Sequence, residues 1–568
     1  MGRRVLFAEI MIPLVVASSA VHGTRAIDTS WHAPAETQLN NLTSALGSNG
    51  VYGFIFNSSN TPQHEYGVYN WCNMPHVRPT EYVVADKAYE LQYVELIHRH
   101  HKRTPYASNA FPVESYQWNC EDAHLFLYGE PFQGKQSSPV FRKGHISPMN
   151  PFVPPGWIGS CNFPQITSGG LSDSWQHGAD LYAVYHDLLG FLPSRNSDYK
   201  SSVRYRVTNN VITSQVAGMV VSGMWWTNDP YPLIVEAPGV DSLEPQYPCN
   251  SADTLFNSIK SNQNPDWKQH LEASAALFST LDDISGVPSS DGGFHSSFDH
   301  YYDNLSARQC HAKPLPCKLV DGQNSTRCIS QDLANAVYRL GNWEYSQIYR
   351  DHPSSLPASV ASLGVWIGEL TSHLRDVMSG SSDIRYFHNI AHDGSLSRLL
   401  SVLQINEMVW PGMGAEVVFE LYKRKDHGPN PSPTTPVVAP GCHHDNCLRH
   451  MLQHPTSASI LCQNVTSSTS GSPTSTRSFL AECSGQSRLV SACSCISSTT
   501  IKTAPAPSQT PLSIPSRHYI RVLFGGRILQ SSNPNLGRMD MLPVEVLIDY
   551  LEGLVGKDGG LVKSKCQN

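Results

Sequence analysis

The stretch from His427 to Ser516 limits what the rest of this chain can fold into. It opens with "HGPNPSPTTPVVAPG" (His427–Gly441) and closes with "SSTTIKTAPAPSQTPLSIPS" (Ser497–Ser516). Proline removes backbone donors, and Ser/Thr-rich surroundings offer little to bury, so both ends read as extended linkers. Between them lie Cys442, Cys447, Cys462, Cys483, Cys493 and Cys495, six of the fourteen cysteines. The eight elsewhere and the six here are both even numbers, which suits a separately stapled module. On either side, "AEVVFELYK" (Ala415–Lys423) and "HYIRVLFGGRIL" (His518–Leu529) have the composition of strands. If the module is an insert, those strands are neighbours joined by an elaborated turn. The expected organisation is a main domain over residues 27–426, the linkers and module over 427–516, and the rest of the main domain over 517–568.

The N-terminus predicts export. Arg3 and Arg4 precede a mostly apolar Val5–Val16, and small residues follow at Ala17–Ala20. That is the order of a secretory signal peptide, taken as residues 1–26, and the run is short for a membrane span. Glycosylation sequons at Asn41, Asn57, Asn304, Asn324 and Asn464 agree with it. So does the absence of any CxxC pair, which favours disulfides in an oxidising compartment. The protein is expected outside the cell or in the cell wall, with no membrane partner. Formal net charge is −7 and the 40 Lys+Arg are scattered, so no field draws nucleic acid.

Elsewhere strand and helix patterns alternate. "YELQYVELIHRHH" (Tyr89–His101) is a β-like apolar stretch with a polar end. "VRYRVTNNVITSQVAGMVVSGMW" (Val203–Trp225) and "RYFHNIAHDGSLSRLLSVLQI" (Arg385–Ile405) each read as strand, turn, helix. "WKQHLEASAALFSTLDDISG" (Trp267–Gly286) reads as one helix, with Leu271, Ala275, Phe278 and Leu281 on one face. Such alternation predicts an α/β fold. The middle, about 227–379, is helix- and loop-rich and is expected to form a cap.

The chemistry concentrates in "HRHHKRTP" (His98–Pro105). A metal cluster, a basic patch and an anion pocket compete for it. In a strand His98 and His100 share a face and His101 points away, so few ligands converge, and Arg99, Lys102 and Arg103 oppose a cation. A nucleic-acid patch needs more basic residues with interleaved aromatics. An anion pocket fits: Arg99 and Arg103 offer planar forks to phosphate oxygens, and His100 between them can attack phosphorus.

These residues resemble a known family. "RHHKRTP" (Arg99–Pro105) is similar to the RHGxRxP signature of the histidine acid phosphatases, the branch that includes phytases, and "AHDGSL" (Ala391–Leu396) is similar to their second element. "GRMDMLPVEVLIDYL" (Gly537–Leu551) resembles the family's terminal segment. The resemblance implies a phosphoglycerate mutase-like core sheet with flanking helices, a helical cap, and hydrolysis of a small phosphomonoester through phosphohistidine. It implies His100 as nucleophile, Arg99, Arg103 and His392 as phosphate ligands, and Asp393 as the acid that protonates the leaving alcohol. No metal or other cofactor is expected, and an acidic optimum follows. "DNCLRHML" and "SACSC" in the cysteine segment resemble small modules of fungal secreted proteins, and association with the cell wall is the partner reading for it.

Two positions depart from the family pattern. His101 replaces a glycine. Aligning Arg206 with the first arginine of the family's RSTxxxRT stretch puts Ile212 at the second, a phosphate ligand, and loss of that contact is worth roughly 1.5–3 kcal/mol. Arg206 or Arg385 is a candidate to compensate. The alternative functions are therefore a phospho-ligand-binding pseudo-enzyme and a wall-associated binding protein. Plainer readings stand beside the sharp ones: Asp393 as a helix N-cap, His443 and His444 as surface residues rather than zinc ligands, and "WWTNDPYP" (Trp225–Pro232) as packing rather than a sugar platform.

Overall fold

In the computed structural model the apolar stretch Tyr89–Arg99 is an eleven-residue strand, β1. The structure describes residues 27–53, 55, 66, 68–126, 129, 138–153, 156–425 and 517–567. By its contacts the chain divides into two units, Met1–Lys425 with Ser516–Asn568, and Asp426–Pro515. The second unit, with the linkers, the cysteine module and its His443 and His444, lies outside the described residues. So do residues 1–26, expected to be a signal peptide, and the sequons at Asn57 and Asn464.

The remaining strands follow in chain order: β2 (Val203–Val207), β3 (Leu233–Val235), β4 (Cys317–Val320), β5 (Gln323–Cys328), β6 (Tyr386–Ala391), β7 (Glu416–Arg424), β8 (His518–Phe524), β9 (Arg527–Ile528) and β10 (Leu542–Pro543). The helices are α1 (Leu42–Gly47), α2 (Ser168–Tyr182), α3 (Val211–Trp225), α4 (Asn250–Ile259), α5 (Pro265–Ala273), α6 (Ala275–Ser285), α7 (Gly292–His295), α8 (Asp299–Cys310), α9 (Gln331–Ser346), α10 (Ser355–Ser379), α11 (Asp393–Val402), α12 (Val544–Val555) and α13 (Val562–Gln567). The main sheet has the order β10-β8-β7-β1-β6-β2-β3, with β9 on β8. It is an α/β fold with a mixed central sheet flanked by helices.

The two halves of the sheet run differently. β1, β6, β2 and β3 are mutually parallel, whereas β7 and β8 continue from β1 in antiparallel order. β1 is thus the strand where direction switches, and the loops leaving parallel strands beside such a switch open a crevice. Register brings Arg99 opposite Ala391 and Val207 opposite Ile390, so β1, β6 and β2 end at one edge. β7 and β8, on either side of the insert, pair from Val417 opposite Phe524 to Lys423 opposite His518.

Both faces of the sheet are covered. Leu96, Val94 and Ile390 pack with Leu181, Val216 and Val220 of α2 and α3. Ile97, Val417 and Ile520 pack with Leu370, Leu399 and Leu547 of α10, α11 and α12. A strand buried on both faces reads as a near-continuous apolar run, as "YVELI" does. Within 227–379, β3 joins the sheet and α10 packs against β1, with helices α4 to α9 and the β4–β5 hairpin between them. All eight cysteines outside the insert pair with one another: Cys72–Cys310, Cys120–Cys161, Cys249–Cys566 and Cys317–Cys328. No helix among the described residues is long and apolar enough to cross a membrane.

Some local expectations change. Trp267–Gly286 is two helices, α5 and α6, that meet at Ser274, whose ψ of 1° turns the chain out of the first helix. Asn304 is buried in α8, where its amide donates to the Asn109 carbonyl and accepts from Arg308, so this sequon is closed to a glycan. Asn324 is exposed on β5. Trp225 is buried and stacks on Tyr199 at 3.9 Å, as packing predicts, whereas Trp226 is exposed beneath the Arg195 guanidinium.

Candidate active site

The site grows out of the common edge of β1, β6 and β2. β1 ends at Arg99, and the chain leaves the strand with His100 N–H donating to the Ala391 carbonyl at 3.0 Å. β6 ends at Ala391 and passes directly into α11 through His392 and Asp393. β2 ends at Val207, and Thr208 follows it. Three sequence-distant segments therefore deliver Arg99, His100 and Arg103, then His392 and Asp393, then Thr208, to one place.

His100 is buried, and its Nδ1 lies 2.9 Å from the His101 carbonyl. A carbonyl only accepts, so Nδ1 carries the proton and Nε2 keeps the lone pair. Burial, then the charges of Arg99 and Arg103 and the nearby His392, push its pKa well below the ordinary histidine range. That shift favours the neutral imidazole, and its ring lies 5.2 Å from that of His392. The His392 Nε2 faces both Thr208 Oγ1 at 3.1 Å and Glu244 Oε2 at 2.8 Å.

The two arginines are buried and anchored from behind. Arg99 donates to the Pro411 carbonyl at 2.6 Å, faces Asp393 Oδ2 at 3.3 Å, and lies over the Trp71 ring. Arg103 pairs with Asp303 Oδ1 at 2.9 Å and lies over the Tyr106 ring. The Nε of each is a buried donor with no protein partner. Such buried guanidinium donors are the kind that oxygens of a bound anion satisfy.

Asp393 is not the helix N-cap. His392 holds that position without a side-chain cap bond, and Asp393 is the first residue of α11, with Oδ1 accepting from Gly394 N–H at 2.9 Å. Its Oδ2 accepts from the Trp410 indole at 2.7 Å and the Tyr345 hydroxyl at 3.2 Å. Burial alone would raise its pKa. Arg99, the Trp410 hydrogen bond, Arg103 and His392 together outweigh that and hold it below the ordinary aspartate value.

The neighbouring histidines go elsewhere. Because the chain leaves the strand after Arg99, two-residue alternation stops there, and His98 and His101, not His98 and His100, come together. His101 turns into the protein interior, with Nε2 3.1 Å from His177 Nδ1. Its ring fills the space beside Gly414, where an added Cβ would lie 2.4 Å from His101 Cε1 and where φ is +71°. A glycine opposite thus makes room for the His101 side chain. Burial first, then neighbouring histidines, pushes His101 well below the usual range and His98 down to about 3.

Neither candidate for compensation at Ile212 reaches the pocket. Ile212 is fully buried in the apolar cluster with Leu96, Val207 and Ile390. Arg206 is enclosed by Glu236, Glu369 at 2.7 Å and Ser242 at 2.8 Å. Arg385 precedes β6, at the opposite end of the strand from His392, and lies over Phe191. Sequence reasoning missed Thr208, Glu244, Asp303 and Trp410. Thr208 carries the one readable signal, directly after a strand that ends beside the signature strand. The other three come from the cap region or distant loops without a motif.

No family model matches the sequence, and no curated protein does. Solved structures similar to this chain include the apo form of the Hafnia alvei phytase, at 12% identity and a TM-score of 0.38 over 60% of this chain and 83% of that one. The phytase from Citrobacter braakii matches at 13% identity and a TM-score of 0.38, over 59% and 82%. The Bifidobacterium longum multiple inositol polyphosphate phosphatase in complex with phosphate matches at 12% identity and a TM-score of 0.35, over 63% and 88%. Likeness at this level says nothing of activity, which has to be argued from the site.

Proposed function

We propose that this protein is a secreted phosphomonoester hydrolase that works through a phosphohistidine on His100. The observation that carries the reading is the setting of that ring: buried, with Nδ1 donating to the His101 carbonyl so that Nε2 keeps its lone pair, and with two arginines beside it that each keep one donor unpartnered and favour its neutral form. A neutral imidazole is a nucleophile, and fixed cations beside it favour the charge of a transferring phosphoryl group.

In the first step His100 Nε2 forms the P–N bond as the P–O bond to the alcohol breaks. The leaving oxygen takes the proton of Asp393. In the second step water attacks phosphorus and gives a proton to the Asp393 carboxylate, and the P–N bond electrons return to Nε2. Arg99, Arg103 and His392 hold the equatorial oxygens throughout. Arg99, Arg103 and His392 favour the ionised form of Asp393 in the free site, and a bound phosphate screens those cations and so favours its protonated form. The chemistry of the site is that of a phosphate ester, and the alcohol half is left to the walls above it.

A second reading keeps the binding and weakens the turnover. It rests on Arg206 and Arg385 lying away from the site, which leaves Arg99, Arg103 and His392 for the anion among the described residues. The experiment that separates them is acid-free trapping. Mature protein is mixed with an aryl phosphate, quenched in alkali and digested, and the peptides are analysed by mass spectrometry. An alkali-stable, acid-labile phosphate on His100, absent in His100→Ala, is expected. Bound phosphate without any labelled His100 would favour the second reading, and neither binding nor labelling in folded protein would overturn both.

A further inference from the structure

Behind the site, β1, the loop after it, and α2 bring three more histidines together. One ring nitrogen from each of His98, His101 and His177 lies within 4.8 Å of the others, and all three side chains are buried. Their proton positions can be counted. His98 Nδ1 is 2.7 Å from the Arg99 carbonyl, so it donates and Nε2 keeps a lone pair. His177 Nε2 is 3.0 Å from Glu416 Oε2, so it donates and Nδ1 keeps a lone pair. His101 Nε2 can donate to that Nδ1 at 3.1 Å, but His98 Nε2 and His101 Nδ1 are then buried without any partner.

We propose that His98, His101 and His177 bind a divalent transition-metal ion of the zinc type. Three imidazole nitrogens are a donor set for Zn²⁺, Co²⁺, Ni²⁺ or Cu²⁺, and not for the oxygen-seeking Mg²⁺ or Ca²⁺. Metal–nitrogen bonds of about 2.0–2.1 Å in a tetrahedron place the nitrogens about 3.3 Å apart. The His101–His177 pair already stands near that spacing at 3.1 Å, and the His98 nitrogen, within 4.8 Å of both, would have to move closer on binding. The supporting bonds are those a ligating histidine needs: the Arg99 carbonyl orients His98 and the Glu416 carboxylate orients His177.

The cations of the same stretch do not oppose it. Lys102 pairs with Asp173 at 3.0 Å, Arg103 with Asp303, and Arg99 faces Asp393. Glu416 brings a carboxylate to the cluster, and Asp180 brings another through His76, which stacks on His177 at 4.2 Å. The ion would clamp α2 to the end of β1. It would also hold the residue whose carbonyl accepts the His100 Nδ1 proton, so it acts on the nucleophile through the backbone of His101.

The test uses the full mature chain, stripped with EDTA and reloaded with Zn²⁺ or Co²⁺. Elemental analysis should give one retained Zn²⁺ per chain, and Co²⁺ should give the intense visible absorption of a tetrahedral nitrogen site. His98→Gln and His177→Gln should each remove that absorption, and Glu416→Gln should weaken binding about 10–100-fold. His100→Ala, and a His443→Ala/His444→Ala double variant, should keep it. Circular dichroism checks that each variant is folded. Wild-type protein that retains no Zn²⁺ and shows no Co²⁺ band overturns the proposal. So does a band that survives His98→Gln and His177→Gln, or one that disappears with His443 and His444.

Discussion

Replacing Asp393 by Asn separates proton donation from everything else this side chain does. Asparagine keeps the size, and its amide oxygen can still accept from the Trp410 indole, now 2.7 Å from Oδ2. What disappears is the dissociable proton and the charge that faces Arg99 at 3.3 Å. General acid catalysis is worth about 10²–10⁴-fold, or about 3–5 kcal/mol of barrier. That loss should fall on esters whose leaving alkoxide needs a proton. An alkyl phosphate should therefore lose at least about a hundredfold in kcat/KM, and an aryl phosphate with a stable leaving phenolate far less. The pH profile carries a second sign. Burial raises Asp393, but Arg99, Trp410, Arg103 and His392 hold it below the usual aspartate value, which favours the ionised form in the free site. Above that pKa the protonated fraction grows about tenfold for each pH unit lowered, and turnover of the alkyl ester should climb with it. The Asn variant should lose that climb. The assay is steady-state phosphate release from both esters between about pH 3 and 8. Equal losses on the two esters, or an unchanged slope in the variant, would refute Asp393 as the proton donor.

Three further outcomes are expected. Ile212→Arg should not restore a phosphate ligand: it puts an unpaired cation into an apolar cluster and should cost about 3–5 kcal/mol in urea unfolding, so a stable and more active variant contradicts the placement. Arg521→Met removes the only cation that meets buried Glu420 among its described contacts, at 2.7 Å, and should cost a similar amount, whereas adding Glu420→Leu should recover little, because the Tyr82, Tyr185 and Tyr422 hydroxyls that donate to that carboxylate are then left without it. Independent costs in that denaturation cycle would show that the pair is not coupled. Replacing residues 427–515 by a short Gly/Ser turn should keep the thermal midpoint and phosphate release, since Arg424 N–H already bonds the Arg517 carbonyl at 3.0 Å; insoluble protein would show that the insert is needed for folding.

The parts of this fold that show in the sequence are those set by neighbours in the chain. "VRYRV" followed by an Asn-rich turn, and "RYFHNIA" followed by "HDGSLSRLL", carry their own strand and helix signals, and both appear where expected. The grouping of Arg99, His100, Arg103, His392 and Asp393 was legible only through the resemblance of "RHHKRTP" and "AHDGSL" to one family, since their meeting depends on β1 and β6 pairing across nearly 300 residues of chain. The remainder depends on partners far along the chain. His101 faces inward because Gly414 leaves space and His177 offers a nitrogen, and neither lies near it in sequence. Arg103 is oriented by Asp303, 200 residues later. Ser274 divides a helix that periodicity joins, and the sequon at Asn304 falls on a side chain that α8 buries.

The order of β7 and β8 in the chain also sets a clock. One partner of β7, β1, precedes it in the chain, but its other partner lies beyond the whole insert. At about 5–20 residues per second of synthesis, the interval from Arg424 to His518 keeps the outer edge of β7 unpaired for roughly 5–20 s. An open strand edge is a template for another nascent chain. Closing a longer loop adds little to the equilibrium cost, because that cost grows only with the logarithm of length. The insert therefore burdens this protein in time rather than in stability. A chain with a longer insert would be as stable once finished, and more exposed while it was being made.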